Sequence, residues 1–253
     1  MDKHLIYCQG DILLTDEGYI PLAFPEGLHI NPWNRITAIT HGGCRCHLIR
    51  LDTPASGLTG YRMVPLRQSF SLLPKDDYQL AGKGAELCYF DQNSRFCGCC
   101  GAPMKWQTDI SKQCTGCRKE LWPSLATAII VRIERGDSIL MVHARNFRDR
   151  HYGLVAGFVE TGETLEECVR REVMEETGLT ISHIRYFASQ PWPYPNGLMV
   201  GFTAQYESGE LHLQNEELNS GGWFTRDHLP ILPDECSIAR MLIEDWRGRE
   251  ERG

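Results

Sequence analysis

GFVETGETLEECVRREVMEETGL, residues 157–179, is the stretch that decides the fold of the C-terminal half of the chain. Thr164 and Glu167 have the spacing of a capping box, which predicts that a helix begins just after Thr164. Gly178 is a favoured residue immediately beyond the end of a helix. The stretch therefore predicts a loop, a short helix and a second loop.

The apolar stripe of this predicted helix contains acidic residues. A helix advances about 100° per residue, which places Val169 and Val173 on one apolar face. Glu172 and Glu176 fall inside that stripe, and Glu175 lies at its edge. Carboxylates at the border of a core lose hydration and repel one another, so they need a compensating cation. A hard divalent ion, Mg²⁺ or Mn²⁺, suits oxygen ligands; the alternative is a polar helix with ordinary surface acids.

The same stretch resembles a complete Nudix box. Gly157, Glu163 and the run REVMEETGL at residues 171–179 fill every fixed position of that motif, at the required spacing. The resemblance implies a loop–helix–loop on an α/β/α sandwich, that is, a Nudix fold. It also implies metal-dependent hydrolysis of a nucleoside diphosphate linked to another group.

Position by position, the resemblance also assigns roles to single residues. Glu172 and Glu176 would bind the catalytic Mg²⁺ or Mn²⁺, with Glu175 as a further ligand or as the base. Glu163 and Arg171 would form an orienting pair. The remaining implied ligands are the carbonyl oxygen of Ala156 and a downstream carboxylate, Glu217, with Glu216 in a shifted register.

Composition limits the class of protein. The chain has 253 residues, 42% of them apolar, which suits one large or two modest domains. A net charge of −7 argues against a nonspecific nucleic-acid or membrane surface. The first residues do not resemble a secretory signal, and no apolar run reaches the roughly 18 residues of a membrane span. Eleven cysteines without a signal then predict a cytoplasmic protein that uses thiols for metal ligation.

Three regions follow one another along the chain. Residues 1–94 contain short apolar pieces broken by Gly and Pro, which predicts a β-rich α+β domain. Cys44 and Cys46 lie there; a second metal site is the alternative to a strand that carries small thiols. Residues 95–122 hold a cysteine cluster, and residues 123–253 hold the Nudix box. The third region opens with two β-type runs around a Gly-Asp turn, which predicts a hairpin.

The cysteine cluster has the spacing of a zinc site. Cys97, Cys100, Cys114 and Cys117 form the pattern C-x2-C-x13-C-x2-C. Four thiolates at this spacing favour a closed tetrahedral Zn²⁺ site in a zinc ribbon. No coordination position remains open for chemistry, so the zinc is predicted to be structural. Cys99 breaks the two-residue spacing and is left out of the ligand set.

A loop rich in proline and aromatic residues follows the box. Residues 189–197 read SQPWPYPNG, and the three prolines predict an extended, stiff segment. Trp192 on such a loop either lines a nucleotide pocket or packs into the core. The loop resembles the SQPWPFPxS array of the NADH pyrophosphatase branch of the Nudix superfamily, in which a zinc ribbon precedes the Nudix domain. Tyr194 stands where that array has Phe, and Gly197 where it has Ser.

The resemblance implies a set of substrate contacts. Phe158, beside the box, would stack on a base, and Trp122 stands where the family often has Tyr. The implied substrate-binding residues are Gln190, Pro191, Trp192, Pro193, Tyr194, Pro195, Asn196, Gly197, Phe158, Arg67, Trp122 and Ala239.

The implied reaction is hydrolysis of the pyrophosphate of NADH or NAD, which yields NMN(H) and AMP. The same branch includes enzymes that remove an NAD cap from the 5′ end of RNA, and it implies a homodimer. One alternative is hydrolysis of another nucleoside diphosphate derivative such as ADP-ribose. The other is a zinc-ribbon binding protein with an inactive Nudix domain, which would be expected to lack a box glutamate, and this sequence lacks none.

Overall fold

Among residues 2–145, 150–214 and 218–248, which a computed structural model describes, the strands form three separate sheets. Two compact units contain them. The first unit comprises Met1–Leu125 and Trp192–Asn196, and the second comprises Ala126–Pro191 and Gly197–Gly253. The proposed domain limits at residues 94 and 122 remain predictions, because the first unit is not divided further. No helix in the described ranges is long and apolar enough to cross a membrane.

The N-terminal sheet has five strands in the order β3-β4-β1-β2-β5. The pair β1–β4 is parallel, and the other neighbouring pairs are antiparallel. The strands are β1 (Lys3–Cys8), β2 (Asp11–Thr15), β3 (Arg35–His41), β4 (Cys44–Arg50) and β5 (Tyr61–Pro65).

Both faces of this sheet are covered because apolar residues occupy both sides of β1. Leu5 and Tyr7 point into one core, and Ile6 and Cys8 point into another, as the alternation of a strand requires. Cys44 and Cys46 lie on β4, where Cys46 is fully buried. The prediction of a β-rich α+β region is confirmed.

Helix α1 (Lys75–Asn93) packs on the face that carries Leu5 and Tyr7. Two glycines in α1 permit close approach. A Cβ atom on Gly84 would lie 2.3 Å from the Tyr7 hydroxyl, which donates a hydrogen bond to the Ala81 carbonyl at 2.7 Å. A helix interior disfavours glycine, so this close contact with the sheet gives the reason for Gly84.

The second sheet is small and antiparallel. It consists of β6 (Met104–Trp106), β7 (Lys112–Cys114) and β8 (Glu120–Leu121). Lys112 joins this sheet to α1, because its ammonium pairs with Asp91 at 2.7 Å and donates to the Ser94 carbonyl at 3.1 Å. The side chain of Lys112 is 2% exposed, so this contact is a buried ion pair.

The third sheet is mixed and has the order β12-β13-β9-β10-β14, with β11 paired to β9. Strand β13 runs parallel to β9, and the pairs of β9 with β10 and β11 are antiparallel. The predicted hairpin is therefore confirmed as β9 and β10. The strands are β9 (Ala126–Arg135), β10 (Ser138–Ala144), β11 (Val155–Phe158), β12 (Thr180–Trp192), β13 (Gly197–Ser208) and β14 (Leu218–Thr225).

One helix covers each face of the third sheet. Helix α2 (Leu165–Thr177) packs on the face of Ile129 and Val131, and helix α3 (Ile238–Arg247) packs on the face of Ile130. Ser237 caps α3, because its hydroxyl accepts the Arg240 N–H at 3.2 Å. This arrangement is the predicted α/β/α sandwich.

Candidate active site

Helix α2 begins and ends as its sequence predicts. The Thr164 hydroxyl accepts the backbone N–H of Glu167 at 3.2 Å, and the Thr164 N–H donates to the Glu167 carboxylate at 2.7 Å. This reciprocal pair is a capping box. Gly178 ends the helix with a φ of 69°, in the left-handed region that favours glycine. Local contacts thereby define both ends of the helix.

The predicted burial of two glutamates in the apolar stripe is confirmed. Glu172 is 9% exposed and Glu176 is 5% exposed, beside fully buried Val169 and Val173. Glu175 points outward, with a side chain that is 55% exposed. Two carboxylates therefore stand at the border of a core, where a charge needs compensation.

Arg171 supplies part of that compensation. Its guanidinium donates to both carboxylate oxygens of Glu163, at 2.7 and 3.0 Å, in the bidentate geometry that favours strong pairing. It also donates to Glu172 at 2.9 Å, to Glu175 at 3.1 Å and to the Phe158 carbonyl at 3.0 Å. The Arg171 hydrogen bond lowers the pKa of Glu163 to about 2, so Glu163 stays ionised.

Gly157 in strand β11 lies so close to Glu172 that a side chain at position 157 would have to displace the Glu172 carboxylate. A Cβ atom there would lie 1.9 Å from the Glu172 carboxyl carbon and 2.0 Å from its Oε1 atom. The neighbouring Ala156 is half-buried, and Phe158 is 66% exposed. Gly157 thus forms a cradle for the Glu172 carboxylate, next to the Ala156 backbone.

The donor types that the box residues offer fit a hard divalent cation. Glu172, Glu176 and the carbonyl of Ala156 offer only oxygen ligands, the kind that Mg²⁺ and Mn²⁺ prefer. The three box glutamates do not converge on one point, because no group of three or more carboxylates meets within the described ranges. Glu217 and Glu216 lie outside the described residues.

The four predicted zinc ligands do converge. The Sγ atoms of Cys97, Cys100, Cys114 and Cys117 all lie within 4.8 Å of one another. The Cys99 N–H donates to Cys97 Sγ at 3.4 Å, and this bond lowers the pKa of Cys97 to about 6. Four converging thiols, with backbone N–H donors to Cys97 and Cys114, fit a structural Zn²⁺ site.

The spare cysteine stays outside this cluster. Cys99 is exposed, and its Sγ atom accepts a hydrogen bond from Lys119 Nζ at 3.1 Å. Its omission from the ligand set agrees with the geometry, because the cluster contains the four other cysteines of the ribbon.

The predicted extended conformation of the Trp192 loop is confirmed for residues 189–192, which belong to β12, but it is wrong for residues 193–196. Residues 193–196 form a turn between β12 and β13, in which the Tyr194 N–H donates to the Trp192 carbonyl at 2.7 Å. Proline fixes φ but leaves ψ free to close a turn, so alternating prolines do not enforce extension. Trp192 is half-buried, which is neither a core position nor a fully exposed one.

The loop residues divide between the two units. Trp192–Asn196 belong to the first unit, whereas Gln190, Pro191 and Gly197 belong to the second. The Gln190 amide donates to the Cys236 carbonyl at 2.6 Å and accepts the Ile238 N–H at 2.7 Å, so Gln190 helps to fix the start of α3. Pro191 is exposed.

The remaining predicted contacts lie in different places. Within the first unit, the Arg67 guanidinium lies over the Trp192 ring, 5.1 Å from its centre, and Trp122 is 52% exposed after β8. Within the second unit, Ala239 is 9% exposed in α3. Arg67 and Trp192 are thus brought together.

The sequence analysis did not identify two residues that lie near these sites. The Tyr78 hydroxyl lies 2.7 Å from the Tyr194 hydroxyl, and Lys112, on the same strand as Cys114, is buried against α1. The only signal for Tyr78 is the Phe-to-Tyr departure at position 194, which adds a hydroxyl in need of a partner. Lys112 gave no signal, because an isolated lysine is usually exposed.

Comparisons with known proteins agree with this geometry. A family model described as NUDIX domain matches residues 123–245. The NAD-capped RNA hydrolase NudC of Citrobacter koseri is 47% identical over 169 residues, and that of Salmonella agona is 46% identical over the same length. Each alignment covers 66% of this chain and 66% of the relative, so the match spans just under two thirds of these relatives' length.

A solved structure shows the same fold at low sequence identity. The crystal structure of a NUDIX hydrolase from Nitrosomonas europaea superposes with a TM-score of 0.53 and 20% identity. The superposition covers 62% of this chain and 93% of the other. At this identity the similarity concerns the fold alone.

Proposed function

We propose that this chain, whose residues 123–245 match the NUDIX domain model, is a metal-dependent hydrolase of the NAD(H) pyrophosphate. Water would cleave one P–O bond of the phosphoanhydride and release NMN(H) and AMP. The observation that carries the proposal is the complete box on α2, with Glu172 and Glu176 buried in its apolar stripe and the Glu172 carboxylate against Gly157.

Glu172, Glu176 and the Ala156 carbonyl would hold the divalent cation, with Glu217 as a further ligand. A Mg²⁺ or Mn²⁺ ion bound there supplies neutralisation of the charge on the two phosphates and lowers the pKa of an attacking water. Oxygen donors do not separate magnesium from manganese, so the proposal includes both.

The chain's own residues position the reacting groups. Arg171 fixes the Glu172 carboxylate at 2.9 Å and is itself held by the ionised Glu163. Such fixed charges act in the transition state without first having to reorganise. Glu175 or Glu176 takes the proton of the attacking water as general base. Glu175 contacts solvent, whereas Glu176 is in the interior.

The substrate assignment depends on the loop and on the relatives. Trp192, Pro193, Tyr194, Pro195 and Asn196 form the array that resembles the NADH pyrophosphatase branch. The two relatives at 46–47% identity carry the name NAD-capped RNA hydrolase. We therefore extend the proposal to removal of an NAD cap from the 5′ end of RNA, which offers the same pyrophosphate. A cytoplasmic homodimer is the form expected from this branch.

Glu176→Gln tests the proposed chemistry, because it preserves the shape of the side chain and removes its charge. NADH turnover in Mg²⁺ is expected to fall by at least about 100-fold. Glu166→Gln is the matched control, because Glu166 is an exposed glutamate on the same helix. Release of AMP from NADH is the measurement. Near-full turnover by folded Glu176→Gln protein would contradict the assignment.

A substrate panel separates the proposed specificity from its alternatives. NADH, NAD, ADP-ribose and NAD-capped RNA are compared at equal concentration, with AMP, NMN(H) and 5′-monophosphate RNA as products. Faster turnover of ADP-ribose than of every NAD-containing substrate would favour a different Nudix specificity. No metal-dependent turnover of any of the four would favour a binding protein with an inactive domain.

A further inference from the structure

The loop residue Tyr194 is held by a hydroxyl from helix α1. Tyr78 and Tyr194 place their hydroxyl oxygens 2.7 Å apart, although 116 residues separate them in the chain. Both rings are half-buried beside the core of the N-terminal sheet. The added hydroxyl of Tyr194, which departs from the Phe of the related loops, thus has a defined partner.

We propose that Tyr78 is a positioning residue for dinucleotide binding: its hydroxyl holds Tyr194, and Tyr194 in turn holds the Trp192 ring. This inference rests on the proposed function, because Trp192 is taken as a substrate-binding residue there. The Trp192 and Tyr194 rings meet edge to face, with centres 5.2 Å apart and planes at 78°. A shift of Tyr194 therefore shifts Trp192.

Helix α1 is shaped to receive this loop. A Cβ atom on Gly82 would lie 3.1 Å from Pro193 Cγ, so the missing side chain lets the proline rest on the helix. At the other end of the turn, the Asn196 amide donates to the Ser124 carbonyl at 2.7 Å. The turn is therefore anchored on both sides of Tyr194, and the hydroxyl pair completes the attachment.

The Tyr78 ring is itself fixed in place. Phe70 meets it edge to face, with ring centres 5.3 Å apart and planes at 81°. Lys3 pairs with Asp77 beside it, and Lys112 pairs with Asp91 near the other end of α1. Because these contacts fix the Tyr78 side chain, its hydroxyl can hold the Tyr194 hydroxyl in one position. A binding loop that is already ordered loses less conformational entropy when the ligand binds. The N-terminal domain thereby acquires a role, which is to hold the substrate loop.

The test uses Tyr78→Phe, Tyr194→Phe and the double variant in the full chain. Each single change removes one partner of a half-buried pair, whereas the double change replaces both partners with apolar rings, which is close to neutral. The KM for NADH in Mg²⁺ is expected to rise about two- to tenfold in each single variant. The double variant is expected to lie closer to the wild type than either single variant, and kcat of Tyr78→Phe to stay within about twofold.

Tyr89→Phe is the matched control. Tyr89 lies on the same helix and is exposed, so removal of its hydroxyl is expected to leave KM and kcat unchanged. Amide hydrogen exchange of residues 192–200 provides a readout that does not depend on activity. Exchange is expected to be faster in Tyr78→Phe and unchanged in Tyr89→Phe.

The outcomes separate this inference from the proposed function. Wild-type KM and wild-type loop exchange in Tyr78→Phe would overturn the positioning role, as would single effects that simply multiply in the double variant. A wild-type protein that does not hydrolyse NADH would instead refute the proposed function. In that case, faster loop exchange in Tyr78→Phe would still show that Tyr78 holds the loop, whereas its assignment to dinucleotide binding would fail.

Discussion

A single methyl group at Gly157 should abolish most of the proposed activity, because it would displace the Glu172 carboxylate. In Gly157→Ala the new Cβ atom would lie 1.9 Å from the carboxyl carbon of Glu172. Carbon atoms in contact are separated by about 3.5 Å, so the carboxylate must retreat by roughly 1.6 Å. Backbone strain is not the cause, because Gly157 does not have a positive φ.

The displacement has two separate costs. Overpacking of this kind destabilises a domain by about 1–3 kcal/mol, which lowers its melting temperature. A misplacement of about 1 Å at a reacting centre costs roughly 100-fold in rate, and retreat also breaks the 2.9 Å hydrogen bond from Arg171. We therefore expect kcat/KM for NADH to fall by about 100-fold in protein that remains folded below its melting temperature.

Gly222→Ala is the control for this variant. Gly222 lies in a strand of the same unit, and a Cβ atom there would meet only Phe224, at an ordinary 3.8 Å. AMP release from NADH in Mg²⁺ and a thermal melt are measured for both proteins. If Gly157→Ala turned over NADH within about twofold of Gly222→Ala, the cradle would have no role. A double variant with Glu172→Gln should be no slower than Glu172→Gln alone, since both changes act on one carboxylate.

Two further predictions concern the stability of the first unit. Lys112→Met removes a buried ammonium and leaves Asp91 without that partner, so it should cost about 3–5 kcal/mol and lower the melting temperature strongly. Exposed Lys105→Met is its control, and equal melting temperatures for the two variants would contradict the argument. Burial raises the pKa of Glu86 to about 7. Because this folded-state pKa lies above the unfolded value of 4.5, stability should fall as pH rises from about 4.5 to 7. The free energy of unfolding, measured with urea at pH 5 and pH 8, should therefore decrease with pH in the wild type. In Glu86→Gln this decrease should be smaller by about 1–2 kcal/mol, a figure that allows for the partial exposure of Glu86.

Local signals explain why the box helix could be predicted to within a residue. The cap at Thr164, the end at Gly178 and the acids in the apolar stripe all depend on residues that are close in sequence. Side-chain periodicity on a helix then fixes which side faces the core. The convergence of the four cysteines was predictable for a similar reason, because each C-x2-C pair is close in sequence and has the spacing of a zinc site.

Contacts between distant segments could not be predicted in the same way. Alternating prolines suggested an extended loop, yet the turn at residues 193–196 is closed by a hydrogen bond and received by Gly82. Nothing near Gly82 in the sequence indicates that a proline will rest on it. Gly157 shows the same limit, since the motif specifies a glycine there but only the packing of β11 against Glu172 explains it.

Tyr194 shows how a departure from a family pattern can carry information that the pattern itself lacks. A ring with an added hydroxyl keeps the shape of Phe, so sequence reasoning treats the change as conservative. A half-buried hydroxyl without a partner would cost free energy, which means that its presence predicts a second polar group nearby. Tyr78 is one such group, on helix α1 of the first unit and outside the Nudix box. If the hydroxyl pair holds the loop, the residue types at positions 78 and 194 depend on each other. A chain without the pair is then expected to have Phe at both positions.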